Sequence, residues 1–138
     1  VGAGAFFLEL RRNRCVDAQW KSEVGAAAHP LIDSVVNAAV SAKLKEKCTG
    51  SNGLVTEMIL MDNKGLNVGV CDATSDYWQG DEDKFLKTFA VASRDIYIGG
   101  AERDESTQLL ETQASFVVTD EKGEPIGTAT VTIAIDAL

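Results

Sequence analysis

The sequence predicts a single α+β domain in which helices come first and an antiparallel sheet follows. Apolar residues recur at helical spacing before residue 50, whereas they alternate with a period of two after residue 53. Two short turns, DNKG at 62–65 and TDEKGEP at 119–125, each separate a pair of strand-like runs. These observations predict a small sheet built from antiparallel strands.

The composition is that of a globular protein whose sheet-forming half is acidic. The chain has 138 residues, of which 45% are apolar and 25% are charged, which argues against disorder. Its net charge of −8 divides into +2 for residues 1–47 and −10 for residues 48–138. Because an acidic surface repels phosphate backbones, we expect no nucleic-acid binding. Solubility alone accounts for most of these carboxylates.

Two helices are predicted in the first third of the chain. The first covers residues 6–24 and ends at Gly25 or before Pro30. The second begins at Pro30 and carries one apolar stripe over residues 30–47, with lysines in its last turn. The polar string TGSNG at 49–53 then ends it.

The chain is divided at the proline into an N-terminal helical extension, residues 1–29, and one domain, residues 30–138. The opening VGAGAFFLEL is compatible with the end of a removed signal region, an anchor remnant or a helix start. No apolar run approaches the roughly 18 residues that span a bilayer.

The near-continuous apolar character of Leu54–Met61 predicts a central strand that pairs with both the second and the fifth strands. In the last strand one face is apolar, and the other carries Thr128, Thr130 and Thr132, which we expect to meet a ligand or solvent. The five predicted strands are Leu54–Met61, Leu66–Asp72, Ile96–Glu102, Gln108–Val118 and Ile126–Ile135.

Motifs of enzymes are absent from the sequence. It contains no HExxH, no GxSxG, no phosphate loop GxxxxGK[ST] and no GxGxxG after a strand. The single histidine, His29, precedes a proline at a helix boundary, where a cap or surface role is expected. We therefore predict a protein that is not an enzyme and that has no cofactor.

The three cysteines show no metal-ligand spacing, and their odd number allows at most one internal disulfide. They are Cys15, Cys48 and Cys71. Because Cys71 lies inside a strand pattern, we predict that it is a buried free thiol. No metal site is predicted.

Residues 75–89 are predicted to form an acidic helix that Ser75 caps. Tyr77 and Trp78 combine apolar area with a hydrogen-bonding tip, which suits a small-ligand pocket. Alternatively, both aromatic side chains pack this helix onto the sheet while the carboxylates face water.

Several strings of the chain resemble a known family. The order of a long N-terminal helix, a hairpin with GLNVG, the string DYWQGDE and the closing GEPIGTATVTI is similar to that of bacterial extracytoplasmic PAS-like sensor domains. These form the Cache, or PDC, superfamily, and the small stand-alone periplasmic members are the most similar. The resemblance covers residues 30–138. It implies a five-stranded antiparallel sheet, a long N-terminal helix packed on one face, and non-catalytic signal transduction outside the cytoplasm.

The resemblance also implies a small-molecule pocket, walled by the helix and loops between the second and third strands. We expect Asp76, Tyr77, Trp78 and Tyr97 to line this pocket. Because adjacent helix residues diverge by about 100°, at most one of Tyr77 and Trp78 is expected to point fully inward.

Asp76 departs from the family pattern. Amino-acid-sensing members carry an arginine two residues before the pocket tryptophan, where this chain has Asp76 before Trp78. An amine or another small metabolite is therefore expected in preference to a carboxylate. The charge of Asp76 calls for a cationic ligand, a metal, Lys84 or Arg94. The resemblance brings Asp136 near the final-strand aspartate that holds an amine in such members.

Three functions follow from these observations. The first is a small-ligand sensor domain, the second a ligand-free module that forms a homodimer through the long N-terminal helix, and the third a divalent-cation sensor.

Overall fold

The computed structural model describes residues 2–138, and its first third is helical. Helix α1 spans Ala3–Glu23, close to the predicted range, and Gly25 follows it in the left-handed region at φ +76°. No helix within residues 2–138 combines the length and the apolar character of a membrane span.

The prediction of one helix from Pro30 to residue 47 is wrong, because two helices occupy this region. They are α2, Pro30–Val36, and α3, Ala39–Gly50. Ala38 lies between them with extended backbone, at φ −63° and ψ 148°. The Ser41 hydroxyl donates to the carbonyl of Val35 at 2.6 Å and accepts from the amide of Val70 at 3.0 Å. Ser41 thus links α2 and α3 to β2 at the break. Helical spacing in the sequence does not reveal this contact.

All strands pair antiparallel, in the order β2-β1-β6-β5-β3, with β4 also paired to β5. The central position of β1, between the second and last strands, is confirmed. The predicted third strand is instead two short strands, β3 and β4, separated at Gly99-Gly100, where glycines weaken strand structure. The six strands are β1 Val55–Met61, β2 Asn67–Val70, β3 Tyr97–Ile98, β4 Glu102–Arg103, β5 Leu110–Thr119 and β6 Pro125–Ala134.

The two faces of the sheet are covered differently. On one side, which we call the threonine face, residues 128, 130 and 132 of β6 lie beside residues 61, 59 and 57 of β1. Helix α3 covers the opposite side, since a Cβ added at Gly69 would lie 2.8 Å from the Val40 side chain. The core contains Trp20, Ile32, Val35, Ile59, Met61, Val70 and Phe85.

A long N-terminal helix and an antiparallel sheet confirm the predicted α+β fold class. Trp20 of α1 is fully buried in the same core as Ile32 and Val35. The division into residues 1–29 and 30–138 stays a prediction, and the core extends across it.

A disulfide joins Cys48, at the end of α3, to Cys71, which follows β2. The prediction of a free thiol at Cys71 is wrong because α3 packs against β1 and β2, which brings the two Cα atoms to 6.5 Å. Cys15 is a free, exposed thiol on α1.

Candidate functional site

The segment that carries the predicted site residues is a loop and not a helix. Only Asp83–Leu86, named α4, is helical in the predicted range 75–89, and a 3-10 turn follows at Phe89–Val91. We call residues 74–82 the aromatic loop. Ser75 therefore caps no helix, and its hydroxyl donates to Asp76 Oδ1 at 2.8 Å.

Backbone amides of the aromatic loop donate to residues distant in sequence, whereas in a helix they would bond within the helix. The amides of Tyr77 and Trp78 donate to Asp17 Oδ1 at 2.8 and 3.0 Å. The backbone amide of Gln79 donates to the Gly65 carbonyl at 2.7 Å. These bonds replace the i to i+4 bonds that a helix requires, so the loop conformation is set by α1 and by the turn after β1.

Asp17 and Trp20 of α1 fasten the aromatic loop to the core. The indole nitrogen of Trp20 donates to the Thr74 carbonyl at 2.8 Å, and its ring stacks on Tyr77 with 5.2 Å between centroids. Burial raises the pKa of Asp17, but the bond to Lys21 and the amides of Trp78 and Tyr77 outweigh it, so the pKa is lowered. Asp17 is therefore a charged anchor for the loop.

Asn67 of β2 supports the same loop from the other side. Its side-chain amide nitrogen donates to Thr74 Oγ1 at 2.9 Å and to the Asp76 carbonyl at 3.0 Å. The Asn67 backbone amide donates to the Tyr77 carbonyl at 3.0 Å. Asn67 is buried, so these bonds satisfy its N–H groups, which are removed from water. Its Oδ1 atom is buried and has no hydrogen-bond partner within residues 2–138.

Asp76, Tyr77 and Trp78 lie together in the aromatic loop, whereas the side chain of Tyr97 contacts Asp83, at the start of α4, and Lys87, just after its end. Tyr77 is half-buried and packs against the core. The indole nitrogen of Trp78 donates to the Lys64 carbonyl at 2.9 Å.

Tyr97 lies on the threonine face, because it pairs with Ser115, which in turn pairs with Thr130. Its hydroxyl donates to Asp83 Oδ2 at 3.3 Å, and the Lys87 ammonium lies 5.4 Å from its ring centre.

Lys84 and Arg94 are the two cations expected as partners of Asp76. Neither forms an ion pair with it within residues 2–138. Lys84 bonds to Glu82 Oε2 at 3.0 Å and to Gln79 Oε1 at 3.2 Å. The Lys84 side chain is only 10% exposed, so its charge acts inside the fold, beneath α4.

A cluster of charged and polar side chains lies beneath α4 on the threonine face, and sequence reasoning missed its central residue, Glu57. We call it the Glu57 cluster. Burial raises the pKa of Glu57, and the carboxylates of Glu111 and Glu82 add to this, while Lys84 and a bond to Thr132 oppose it. A single glutamate within the apolar string VTEMILM was the available signal. The members of the cluster are Glu57, Gln79, Glu82, Lys84, Glu111, Gln113 and Thr132.

The remainder of the threonine face is covered by protein. The hydroxyls of Thr88 and Thr128 lie 3.0 Å apart, and those of Ser115 and Thr130 lie 2.9 Å apart. All four side chains are buried. Thr128, Thr130 and Thr132 are therefore covered by protein and do not meet solvent. Contact of this face with a ligand stays a prediction for the part around Glu57, where the polar groups are charged.

Solved structures of bacterial receptor domains share this fold, among them the following three. The ligand-binding domain of the Campylobacter jejuni chemoreceptor Tlp3, in complex with 4-methylisoleucine, has a TM-score of 0.55 and 16% identity, over 94% of this chain and 54% of that chain. The ligand-binding domain of the Pseudomonas aeruginosa amino acid chemoreceptor PctC, in complex with GABA, has a TM-score of 0.56 and 16% identity, over 98% and 57%. An extracellular ligand binding receptor from Desulfohalobium retbaense has a TM-score of 0.51 and 17% identity, over 99% and 26%.

The chain thus spans about half the length of the two chemoreceptor domains. No protein-family model and no curated protein matches the sequence. At 16% and 17% identity the similarity concerns the fold. The chain has the fold of extracellular sensory domains of bacterial receptors, as its resemblance to Cache domains implies.

Proposed function

We propose that the chain is an extracytoplasmic sensor domain that binds a small molecule and performs no catalysis. The observation that carries this proposal is the Glu57 cluster, a set of partly buried charges on a sheet face. The pKa of Glu57 is raised, and a titratable group perturbed by burial beside a charged partner is characteristic of a functional site. The fold shared with ligand-binding domains of chemoreceptors supports the same function.

The ligand is an amine or another small metabolite with a positive group. The Glu57 cluster contains three carboxyls, those of Glu57, Glu82 and Glu111, and one ammonium, that of Lys84, which pairs with Glu82. Asp76 adds a further acid from the aromatic loop, where amino-acid sensors of the Cache family have a base. An excess of carboxylates lowers the free energy of a bound cation.

The pocket is formed by the aromatic loop on one side and by the threonine face on the other. Asp76, Tyr77 and Trp78 belong to the loop, and Tyr97 stands on the same face of the sheet as Glu57. A ligand between them would contact an aromatic wall and the acidic cluster. Amphipathic aromatic side chains and a few charged groups are the usual composition of such pockets.

Thermal unfolding in the presence of candidate ligands tests the proposal, because a ligand that binds the native state raises the melting temperature. The panel comprises primary amines, amino acids, dicarboxylates and calcium chloride. We expect amines or amino acids to stabilise the protein, and dicarboxylates to leave it unchanged. Stabilisation by calcium alone would favour the divalent-cation sensor.

Substitutions then locate the site. Glu57→Gln and Asp76→Asn are each expected to weaken binding of the identified amine at least tenfold, the loss of one charge-assisted contact. Trp78→Ala is expected to weaken it by a similar factor, because it removes the aromatic contact. Glu121→Gln, in the exposed turn before β6, is the matched control and leaves affinity unchanged. Unchanged affinity in all three folded variants would refute the site.

A homodimer through α1 is the second proposal. It is compatible with a small-ligand sensor and with a ligand-free module. Phe6, Phe7 and Leu8 are consecutive exposed residues near the start of α1, and the rings of Phe6 and Phe7 lie edge to face with 5.9 Å between their centroids. Contiguous exposed apolar residues favour association. Sedimentation of the wild type and of Phe7→Ser measures it. A monomer at every concentration would refute this interface.

A further inference from the structure

A second concave site lies at the edge of the sheet, away from the Glu57 cluster. It is a groove of about 430 Å³ between residues 92–96 and the outer edge of β5. We call it the edge groove. The residues that decide its chemistry are Arg94, Ile96, Phe116, Val117 and Thr119.

The groove exists because β3 covers only part of β5. Pairing between the two strands ends at Tyr97 opposite Ser115. The residues before Tyr97 bond among themselves: the amide of Ala92 donates to Phe89, and that of Ser93 donates to Thr88, both at 3.0 Å. They therefore leave the outer edge of β5 beyond residue 115 without a neighbouring strand.

The backbone of β5 directs hydrogen-bonding groups into this gap. Gly99 donates to the Gln113 carbonyl at 2.8 Å, so the polar groups of Gln113 point toward the outer edge. Bonding sides alternate along an antiparallel strand, so Val117 and Thr119 present their N–H and C=O groups to the same edge. Both residues line the groove, and within residues 2–138 no backbone bond joins them to residues 92–96.

The gap is lined by the apolar side chains of Ile96, Phe116 and Val117 and by one cation, Arg94. Ile96 is 63% exposed and Phe116 is 39% exposed, so burying them under a partner is favourable. Arg94 forms no ion pair within residues 2–138, although the chain has eight more acidic than basic residues. The groove thus combines an open strand edge, apolar contacts and a free positive charge.

We propose that the edge groove binds an extended peptide segment of a partner protein as an added strand beside β5. Its backbone bonds to Val117 and Thr119, its apolar side chains pack on Ile96 and Phe116, and an acidic residue pairs with Arg94. Open sheet edges recruit extended peptides in this way. Residues 92–96 bound the groove on its outer side. They obstruct the approach of a second copy's sheet, so the occupant is an extended segment.

The test uses the full chain and the synthetic peptide acetyl-VTVDV-amide, with binding measured by isothermal titration calorimetry. Two control peptides are acetyl-VTVKV-amide and a version of the first that is N-methylated at alternate residues. We expect the lysine peptide to bind about tenfold more weakly, the size of one charge-assisted contact, and the N-methylated peptide not to bind. Equal binding of the three peptides, or none, would overturn the proposal.

Two isoleucines of the chain form a matched pair of controls. Ile96 lines the groove, whereas Ile98 does not, and their exposed fractions are 63% and 60%. Ile96→Ser is expected to weaken peptide binding about tenfold, and Ile98→Ser to leave it unchanged. Equal effects of the two substitutions would contradict the site. The proposal would also be contradicted if the wild-type protein dimerised and Ile96→Ser abolished the dimer. Binding of amines at the Glu57 cluster is unaffected in either case.

Discussion

Replacement of Asp17 tests whether α1 sets the conformation of the aromatic loop. Its Oδ1 atom accepts two amide hydrogen bonds, from Tyr77 at 2.8 Å and from Trp78 at 3.0 Å. Its Oδ2 atom lies 2.7 Å from the ammonium of Lys21. In Asp17→Asn one oxygen remains to accept from the two amides, but the charge is lost.

The magnitude follows from these contacts. Hydrogen bonds to a charged group contribute about 1.5–3 kcal/mol each, and neutral ones about half of that. The ion pair adds at most about 1 kcal/mol, because the Lys21 side chain is 56% exposed. We therefore expect Asp17→Asn to lower the free energy of unfolding by about 2 kcal/mol, and Asp17→Ala by about 3–4 kcal/mol. For a chain of this size, about 2 kcal/mol corresponds to a melting temperature lower by about 8 °C.

Thermal unfolding and amide hydrogen exchange together measure the effect at pH 7. In both variants the amides of Tyr77 and Trp78 are expected to exchange faster than in the wild type. The increase in exchange rate should be larger for these two amides than for the amides of β1. Lys21→Gln removes only the ion pair and serves as the control, with a loss of at most about 1 kcal/mol.

The dependence on pH has a definite sign. The pKa of Asp17 is lowered from 3.8 in the folded protein, so its stabilisation is present above pH 3.8 and is lost as the pH falls through the folded pKa. The difference between wild type and Asp17→Asn should therefore shrink below pH 4. An unchanged melting temperature at pH 7, or unchanged exchange at Tyr77 and Trp78, would refute the reasoning.

Three further predictions concern single features of the fold. Reducing the Cys48–Cys71 disulfide, which closes a loop of 23 residues, is expected to lower stability by about 3 kcal/mol; dithiothreitol should then leave the melting of Cys48→Ser unchanged. Because the pKa of Glu57 is raised from 4.5, its carboxylate opposes folding as the pH rises through the folded pKa, so Glu57→Gln should melt higher at pH 7, with no gain at pH 4. Equal melting at pH 7 would contradict this. Gly65→Ala is expected to cost about 2 kcal/mol or more, since Gly65 has φ +83° and an added Cβ would lie 2.6 Å from the backbone of Gly80; a melting temperature within 2 °C of wild type would exclude that strain.

The strands and the first helix could be predicted because their signals are local. The period of two over residues 55–61 and the DNKG turn predict β1 and its hairpin with β2, and both are confirmed. The near-continuous apolar character of Leu54–Met61 predicts that this strand also pairs with the last strand, and the register confirms it. Alternation of this kind reports which side chains are buried, so it is visible without any knowledge of the partner strand.

The aromatic loop could not be predicted in this way. The string SDYWQGDEDKF has a capping residue and helical composition, yet it is loop from residue 74 to residue 82. The carboxylate that accepts its amides belongs to Asp17, which lies 60 and 61 residues earlier than Tyr77 and Trp78. A distant acceptor outweighs the small local preference for helix.

The sequence by itself determined the α+β class, the order of helices and strands, and the acidic character of the sheet half, because these depend on composition and on periodicity along the chain. Only the tertiary structure decided that Cys48 forms a disulfide with Cys71 and that Lys84 forms an ion pair with Glu82 and not with Asp76. It also decided that Glu57 is a partly buried acid on the threonine face. Each of these depends on which residues distant in sequence become neighbours. Pairing and pKa follow from distance in space and from exclusion of water, and both are properties of the packed chain.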